Sequence, residues 1–404
     1  MTSFIPFKGI RPARDKANLV ATRSYLSYTK QILNEKLDNN PFTFLHILNP
    51  DYKSKKPVIG KNKFSLVKDK FKYFLKEKIF NEDKKESFYI YQQENDLKKF
   101  TGIIGASSIK DYNENKIKKH EETILERQSM FKDYLSITGF NADPVLLTYK
   151  KDKSIDLLIK KTIEKRSEYE FTTTDKIKHK FWVVDAIDEV FQIQESFEKI
   201  KNLYIADGHH RSASSSLFQK ENKENKASNY FMTYLVDEDQ LNILNFNRLI
   251  KITNSLSADK IVDLISTKCI VNKKGKKEHY PSKKDEISMY LNKNWYSLIF
   301  KKNKSRNNIV KSLDPSLLSE EILCPILKIE NERKNKNISF IDGKTPLIDL
   351  KKLVDTNEYN IAFILKPITI NQIKEVADQG LSMPPKSTYI EPKLRSGLII
   401  YKTK

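Results

Sequence analysis

"YIADGHHRSASSS", Tyr204 to Ser216, is the stretch that decides how the 404-residue sequence is read. The apolar run Leu203 to Ala206 reads as a short strand, and Asp207-Gly208 breaks it. His209, His210 and Arg211 then open a helix whose small residues, 212 to 216, let it pack tightly. The chain holds only 6 histidines and 10 arginines, so three of them side by side at one helix start mark a concentration. The first N–H groups of a helix lack an internal partner and carry partial positive charge. A glycine lets backbone approach an anion closely. An arginine adds a bidentate fork suited to phosphate. The physical reading is a phosphate-binding turn, Gly208 with Arg211 and Ser212, and two titratable groups, His209 and His210, beside it. The bland reading is a helix start capped by Asp207 with histidines nearby. A metal site is a third reading. Adjacent helical histidines point about 100° apart, so chelation by that pair is not expected, whereas Asp207 is suited to a Mg2+ that bridges phosphates.

Outward from this turn, strands and helices alternate without strict βαβ order. "FYIYQQ" (Phe88 to Gln93) and "TGIIGASSI" (Thr101 to Ile109) read as a hairpin. "VLLTY" (Val145 to Tyr149) and "FWVVD" (Phe181 to Asp185) read as buried strands. Ile187, Val190, Phe191, Phe197 and Ile200 recur at helical spacing. "NYFMTYLV" and "LNILNFNRLI" read as antiparallel strands joined by the acidic turn "DEDQ". After Ile250 come a helix near Ala258 to Ile265, strands between Ile287 and Phe300, and a helix "LDPSLLSEEILCPIL" with an Asp-Pro start signal at Asp314-Pro315. The strands "NISFI" and "IAFILK" and a helix "INQIKEVADQG" ended by Gly380 complete the chain. The fold class is α+β with mixed sheets and hairpins. The expected division is a core over residues 1–250 that carries the phosphate-binding turn and a smaller α+β part over 251–404.

Apolar residues make up 39% and charged residues 31%, a globular rather than disordered balance. No run approaches the ~18 apolar residues of a membrane span. The N-terminus has no signal-peptide h-region, and Cys269 and Cys324 form no metal-ligand spacing. A cytoplasmic protein is the expectation. The formal charge of +21 raises the question of nucleic acid, but the excess is lysine, 63 against 10 arginines, interspersed with acids. Nucleic-acid readers concentrate arginine on one face or arm. A solvated Lys-rich surface is the reading, with no nucleic-acid or membrane partner expected. "KKGKKEH" (Lys273 to His279) and "KKNKSRNN" (Lys301 to Asn308) read as basic loops.

The turn "YIADGHHR" resembles the signature of the bacterial family called domain of unknown function 1015. Further segments agree in order: "PFKGIRP" (Pro6 to Pro12), "NPFTFLHILNP" (Asn40 to Pro50), "IKKHEET" (Ile117 to Thr123), "LLSEEILCPIL" (Leu317 to Leu327) and "MPPKSTYIEPKLRSGL" (Met383 to Leu398). The resemblance covers nearly the whole chain. That family is similar to free-serine kinases of the ParB/sulfiredoxin-like superfamily, which phosphorylate the hydroxyl of L-serine with ADP or ATP. The resemblance implies a phosphate-binding core of that type, with Gly208 and Arg211 at the positions that hold nucleotide phosphates. In sulfiredoxin the residue after the glycine is the reactive cysteine; here it is His209, so sulfinic-acid reduction is not implied. ParB-type proteins use the same turn to bind CTP and carry a helix-turn-helix domain that is not evident here. Two departures stand out. The family's Pro-Tyr-Asp is Ser24-Tyr25-Leu26, and its His-Arg after the signature is Asn247-Arg248.

A kinase needs a carboxylate to take the proton of the attacking hydroxyl. In "KKHEET", Glu121 is the first choice, set against a glutamate merely favoured at a helix start. Glu35 and Asp111 are weaker alternatives. His120 reads equally as a phosphate contact or a half-buried histidine. In "MPPKSTY", Lys386, Ser387 and Thr388 on a rigid Pro-Pro mount are candidates to hold substrate. His46 reads as a core residue. The expected function is a phosphotransferase using ATP or ADP and Mg2+ on a small hydroxyl compound, free L-serine by resemblance. The catalytic set is Glu121, Asp207, His209 and His210. The alternatives are a nucleotide-binding, DNA-associated regulator without turnover in the manner of ParB, and a metabolite-binding protein that has lost catalysis. Oligomeric state is left open.

Overall fold

The structure, a computed structural model, describes residues 2–253, 256–301 and 308–404. It falls into two compact units, Met1–Leu241 with Pro392–Lys404, and Asn242–Glu391. Each mixes helices with sheets, so the fold is α+β. None of the described helices is long and apolar enough to cross a membrane.

The first unit is organised by a nine-stranded sheet. Its strands are β1 (Phe4–Ile5), β2 (Phe88–Glu94), β3 (Lys99–Ser108), β4 (Ile117–Lys118), β5 (Val145–Tyr149), β6 (Tyr169–Thr172), β7 (Lys178–Val184), β8 (Leu203–Asp207) and β9 (Tyr230–Asp237). They lie in the order β4-β8-β5-β9-β3-β2-β7-β6, with β1 paired to β3 beyond the start of β2. The hairpin read from Phe88 to Ser108 is present, paired antiparallel from Tyr89↔Ile104 to Glu94↔Lys99. Nearly every residue of β3 and β9 is buried on both faces. Their sequences therefore lack the strict apolar–polar alternation of a half-exposed strand. Gly105 in β3 is where Phe4 crosses the strand; a Cβ there would stand 2.4 Å from the Phe4 ring. Phe4 in turn packs on Phe88 at 4.9 Å and on Phe197 at 4.8 Å between ring centroids.

Helices α1 (Gly60–Lys76), α2 (Leu125–Thr138), α3 (Lys153–Ile163), α4 (Ile187–Glu198) and α5 (His209–Glu221) belong to this unit. In α4, Val190, Ile193 and Phe197 form the inward stripe. Ile187 and Phe191, which share the helical spacing, point outward at 85% and 64% exposure. The i, i+4 pair 187/191 lies on the flank of the stripe 190/193/197.

In the second unit six strands form an antiparallel sheet: β10 (Phe246–Ile250), β11 (Cys269–Gly275), β12 (Glu286–Leu291), β13 (Asn294–Phe300), β14 (Ile338–Asp342) and β15 (Ile361–Ile364), in the order β11-β13-β12-β15-β10-β14. Helix Ala258–Ser266 and the segment from Leu317 to Ile329 cover one face. Helix Leu347–Asp355 covers Tyr290 and Trp295 on the other.

Several local readings are corrected. "NYFMTYLV" and "LNILNFNRLI" do not pair. Both edges of β9 are taken by β3 and β5, while Asn242–Leu244 pairs with Tyr389–Glu391 and β10 lies in the second sheet. Lys273 to Gly275 are the end of β11 rather than loop. Residues 302–307 of the second basic run lie outside the described residues. The Asp314-Pro315 start is real, but its α-helix runs only Asp314–Leu318 before a π turn, Ser319–Leu323. The Asp314 carboxylate accepts from the Asp285 N–H at 3.1 Å instead of capping.

Phe197→Ala removes a fully buried ring and is expected to lower stability by about 3–5 kcal/mol. Phe191→Ala, on the same helix, is expected to stay within about 0.5 kcal/mol. Urea midpoints of the two variants check this.

Candidate functional site

β4 and β8 run parallel, with Leu203 opposite Ile117 and Tyr204 opposite Lys118. Their C-terminal ends therefore emerge side by side, the place where open sheets present ligand-binding residues. After β4 come Lys119, His120 and Glu121; β8 ends on Asp207, and Gly208 and His209 follow. A β-bulge precedes the turn: Ile205 opposes Leu147, yet Asp207 opposes Leu146, so Ala206 is the extra residue. A bulge re-aims the side chain that follows it. Ile205 stays in the core, and Asp207 turns to an edge where 40% of its side chain is exposed.

Gly208 has φ +104° and ψ +27° and forms the N-cap of α5. A side chain is disfavoured there, and a Cβ would lie 3.2 Å from the Arg211 guanidinium. No side chain caps the helix, so Asp207 is not an N-cap. It accepts instead from Lys393 Nζ at 3.0 Å and Arg211 Nη2 at 3.1 Å. Arg211 also donates to the Pro144 carbonyl at the start of β5. Burial opposes ionisation of Asp207, but Lys393 and Arg211 outweigh it, and the carboxyl titrates below its ordinary range.

The two ring systems behind this turn are enclosed. His120 and His209 are buried, their rings edge to face at 4.5 Å. The His120 N–H donates to His209 Nε2 at 3.5 Å. That geometry leaves the proton of neutral His209 on Nδ1, which faces Glu121 Oε2 at 3.8 Å. Burial drives both imidazoles toward neutrality. His120 titrates at about 4, with Asp207 and a hydrogen bond to the Ile205 backbone offsetting only part of the effect. His209 is pushed well down by burial and by His120 beside it. Burial also lowers Lys119, whose ammonium sits 4.4 Å from the centre of the Tyr112 ring.

The structure thus brings together Glu121, His120, His209, Asp207, Gly208 and Arg211. His210 is half-buried on the first turn of α5. Ser212 is enclosed: its hydroxyl donates to the Gly208 carbonyl at 3.3 Å. Ser214 and Ser216 likewise satisfy their hydroxyls internally, on His210 and Asn113, so α5 packs closely through small residues. Asp111 is buried, accepting from the Ser3 N–H at 2.6 Å and from Lys116 at 3.2 Å. Glu35 lies on an exposed helix and accepts from Gln31 at 3.0 Å. His46 is buried and bonds the Asn40 carbonyl. Lys386, Ser387 and Thr388 belong to the second unit. There Ser387 donates to the Pro384 carbonyl at 2.7 Å and Lys386 lies 4.9 Å from the centre of the Phe246 ring.

Lys393 escapes sequence reading. It sits 186 residues from Asp207 in sequence, inside the segment "MPPKSTYIEPKLRSGL" but outside the part with an obvious mount. A neighbouring clamp fixes its position. Arg395, 5% exposed, grips Asp175 at 2.6 Å. Ser396 donates to Asp143, and its backbone bridges Thr22 in both directions.

Because His120 and His209 are neutral when folded and ordinary when unfolded, the unfolded chain binds more protons below the ordinary histidine range. Stability is therefore expected to fall as pH drops from about 6.5 toward 4. His120 alone contributes about 3 kcal/mol across that window. Urea midpoints at about pH 7 and pH 5 should show a smaller drop in His120→Gln than in the wild type.

Comparison with known proteins places the chain. A family described as "Protein of unknown function (DUF1015)" matches residues 4–316. No curated protein matches. Solved structures similar to this chain include a conserved hypothetical protein from Pyrococcus furiosus, 13% identical, covering 75% of this chain and 95% of that one at TM-score 0.38. They also include a free serine kinase in complex with AMP, 12% identical, covering 74% and 91% at TM-score 0.38. A third is SbnI with C-terminal truncation from Staphylococcus aureus, 11% identical, covering 73% and 85% at TM-score 0.39. The match over residues 4–316, more than half of the sequence, establishes that this chain belongs to the DUF1015 family.

Proposed function

We infer that the first unit is a nucleotide-dependent phosphotransferase whose phosphate-binding core is of ParB/sulfiredoxin type, acting on a small hydroxyl compound. Free L-serine is the acceptor the motif resemblance points to. The observation that carries the reading is the turn itself: a left-handed Gly208 ahead of a long helix, with Arg211 and Lys393 gathered on Asp207. The N–H groups of His209, His210 and Arg211 precede the first intrahelical bond, which Ser212 makes to Gly208. They would bind phosphate oxygens of ATP or ADP, with Arg211 and Lys393 supplying charge.

Asp207, ionised and part-exposed, is a hard oxygen ligand of the kind Mg2+ takes when it arrives with a nucleotide. Among the described residues no group of three or more His, Cys, Asp or Glu is placed to hold an ion alone, so nucleotide oxygens and water would complete the shell. The ion would neutralise charge between phosphates.

Glu121 is the base in this reading. The acceptor hydroxyl gives its proton to the carboxylate while its oxygen bonds to phosphorus and the bond to the leaving nucleotide oxygen breaks. Buried, neutral His209 flanks Glu121, with Nδ1 3.8 Å from Oε2. His210, the more accessible histidine of the pair, meets the transferring group. Lys386, Ser387 and Thr388 are not assigned a role, since Ser387 and Lys386 already have internal partners.

The test incubates the protein with L-serine and ATP or ADP and follows phosphoserine by phosphorus NMR. Arg211→Ala is expected to lower kcat/KM by about 100-fold or more, and Lys393→Met to abolish nucleotide-induced thermal stabilisation. Nucleotide bound without turnover of any alcohol, together with a salt-dependent DNA mobility shift, overturns the enzyme in favour of a regulator.

A further inference from the structure

We propose a second anion site in the first unit, remote in sequence from the turn at Gly208, that takes a small metabolite bearing a phosphate or carboxylate group. A hollow of about 460 Å3 opens between the segment from Arg14 to Asn18 and the segment from Arg166 to Phe171. Its size is that of a small-ligand site. One wall is β6, an outer strand of the nine-stranded sheet that pairs only with β7. An unpaired strand edge presents backbone N–H groups.

Charge decides what the hollow binds. Three carboxylates line it, and each already has a cation. Asp15 pairs with Lys16 at 2.7 Å, Glu168 with Arg11 at 2.9 Å, and Glu170 with Lys178 at 2.7 Å. Two guanidiniums also line it, Arg14 and Arg166. Arg14 reaches the Ser167 carbonyl at 3.5 Å, beside Arg166 in the chain. Neither arginine pairs with a carboxylate among the described residues. The chain has only 10 arginines, and three of them, Arg11, Arg14 and Arg166, converge here. One is spent on Asp83 and Glu168. Two remain to grip an oxyanion, for which the guanidinium fork is the matched donor. Ser167 and Asn18 add polar groups, and Phe171 adds an apolar surface for the rest of the ligand.

The floor is preformed. Tyr169 donates to the Pro12 carbonyl at 2.5 Å and receives from Arg11 at 2.9 Å, which locks the two walls together. Trp182 donates to the Lys165 carbonyl at 2.9 Å, holding the turn that carries Arg166.

Isothermal titration of the full chain with inorganic phosphate, glycerol 3-phosphate and citrate separates phosphate from carboxylate ligands. At least one probe is expected to bind the wild type and Arg211→Ala alike. The double variant Arg14→Ala/Arg166→Ala should bind it at least tenfold more weakly, with an unchanged thermal midpoint because both side chains are at the surface. Arg14→Lys/Arg166→Lys should recover part of the loss. No measurable binding by any probe, binding that survives in the double alanine variant, or binding lost only in Arg211→Ala overturns the proposal. Failure here leaves the turn at Gly208 as it stands, because the two sites share no residue.

Discussion

The Asp207 carboxylate is the joint of the candidate site. One oxygen accepts from Lys393 at 3.0 Å and the other from Arg211 at 3.1 Å. It therefore ties the end of a strand, the first turn of a helix and the C-terminal segment to one point. The energy of this joint is modest. Ion pairs as exposed as these contribute about 0–1 kcal/mol each. What holds the arrangement is the less exposed frame around it: Arg395 on Asp175, Ser396 on Asp143, and the backbone bridge to Thr22. The frame fixes where the charges sit, and the charges do not fix the frame. That division suits a ligand site, because an entering anion can displace one ion pair without loosening the fold.

The same economy of charge governs the histidines. Near Asp207 stand Lys119, Lys393 and Arg211 as cations and Glu121 as the second anion. A proton on buried His120 or His209 would add positive charge where water cannot screen it, and burial depresses both. The imidazoles therefore serve as neutral hydrogen-bonding groups. Positive charge is kept on Lys393 and Arg211, whose heads reach the solvent edge. The helix start thus presents fixed guanidinium and ammonium groups whose charge is independent of histidine protonation near neutral pH.

Legibility in the sequence followed the range of the interactions. The strand, the Asp-Gly break and the helix start at His209 are local, set by glycine's tolerance of positive φ and by the small residues after it. The hairpin from Phe88 to Ser108 is likewise local. Partner choice is not: "NYFMTYLV" carries every signal of a strand, yet nothing in it says that β3 and β5 occupy both of its edges. Helical spacing placed Ile187 and Phe191 with Phe197, but only the neighbouring elements decide which stripe faces in. Among polar residues, Ser212 and Asp111 read as candidates by type, and packing committed them to Gly208 and to Ser3 and Lys116. Lys393 was hidden for the opposite reason. Its role exists only because the chain returns to Asp207 after a long excursion through the second unit.

The bulge at Ala206 explains how this strand end presents the residues of the candidate site. In a regular strand, residues two apart share a face, so Asp207 would follow Ile205 into the apolar core, where an ionised carboxylate without partners is prohibitively costly. Inserting one residue breaks that parity. Ile205 keeps its place opposite Leu147, and Asp207 is delivered to the rim opposite Leu146, within reach of Arg211 one helical turn on. The left-handed Gly208 then reverses the chain quickly enough for the helix to start against the ends of β4 and β8. A larger residue at 208 would strain that backbone and press on the Arg211 guanidinium. The Asp-Gly pair is thus required twice, once for the charge at the rim and once for the space beside it, and the departure at Asn247-Arg248 falls elsewhere. Arg248 is fully buried in the second unit, 3.6 Å from Glu332 and facing Phe340, so it bears on that unit's interior.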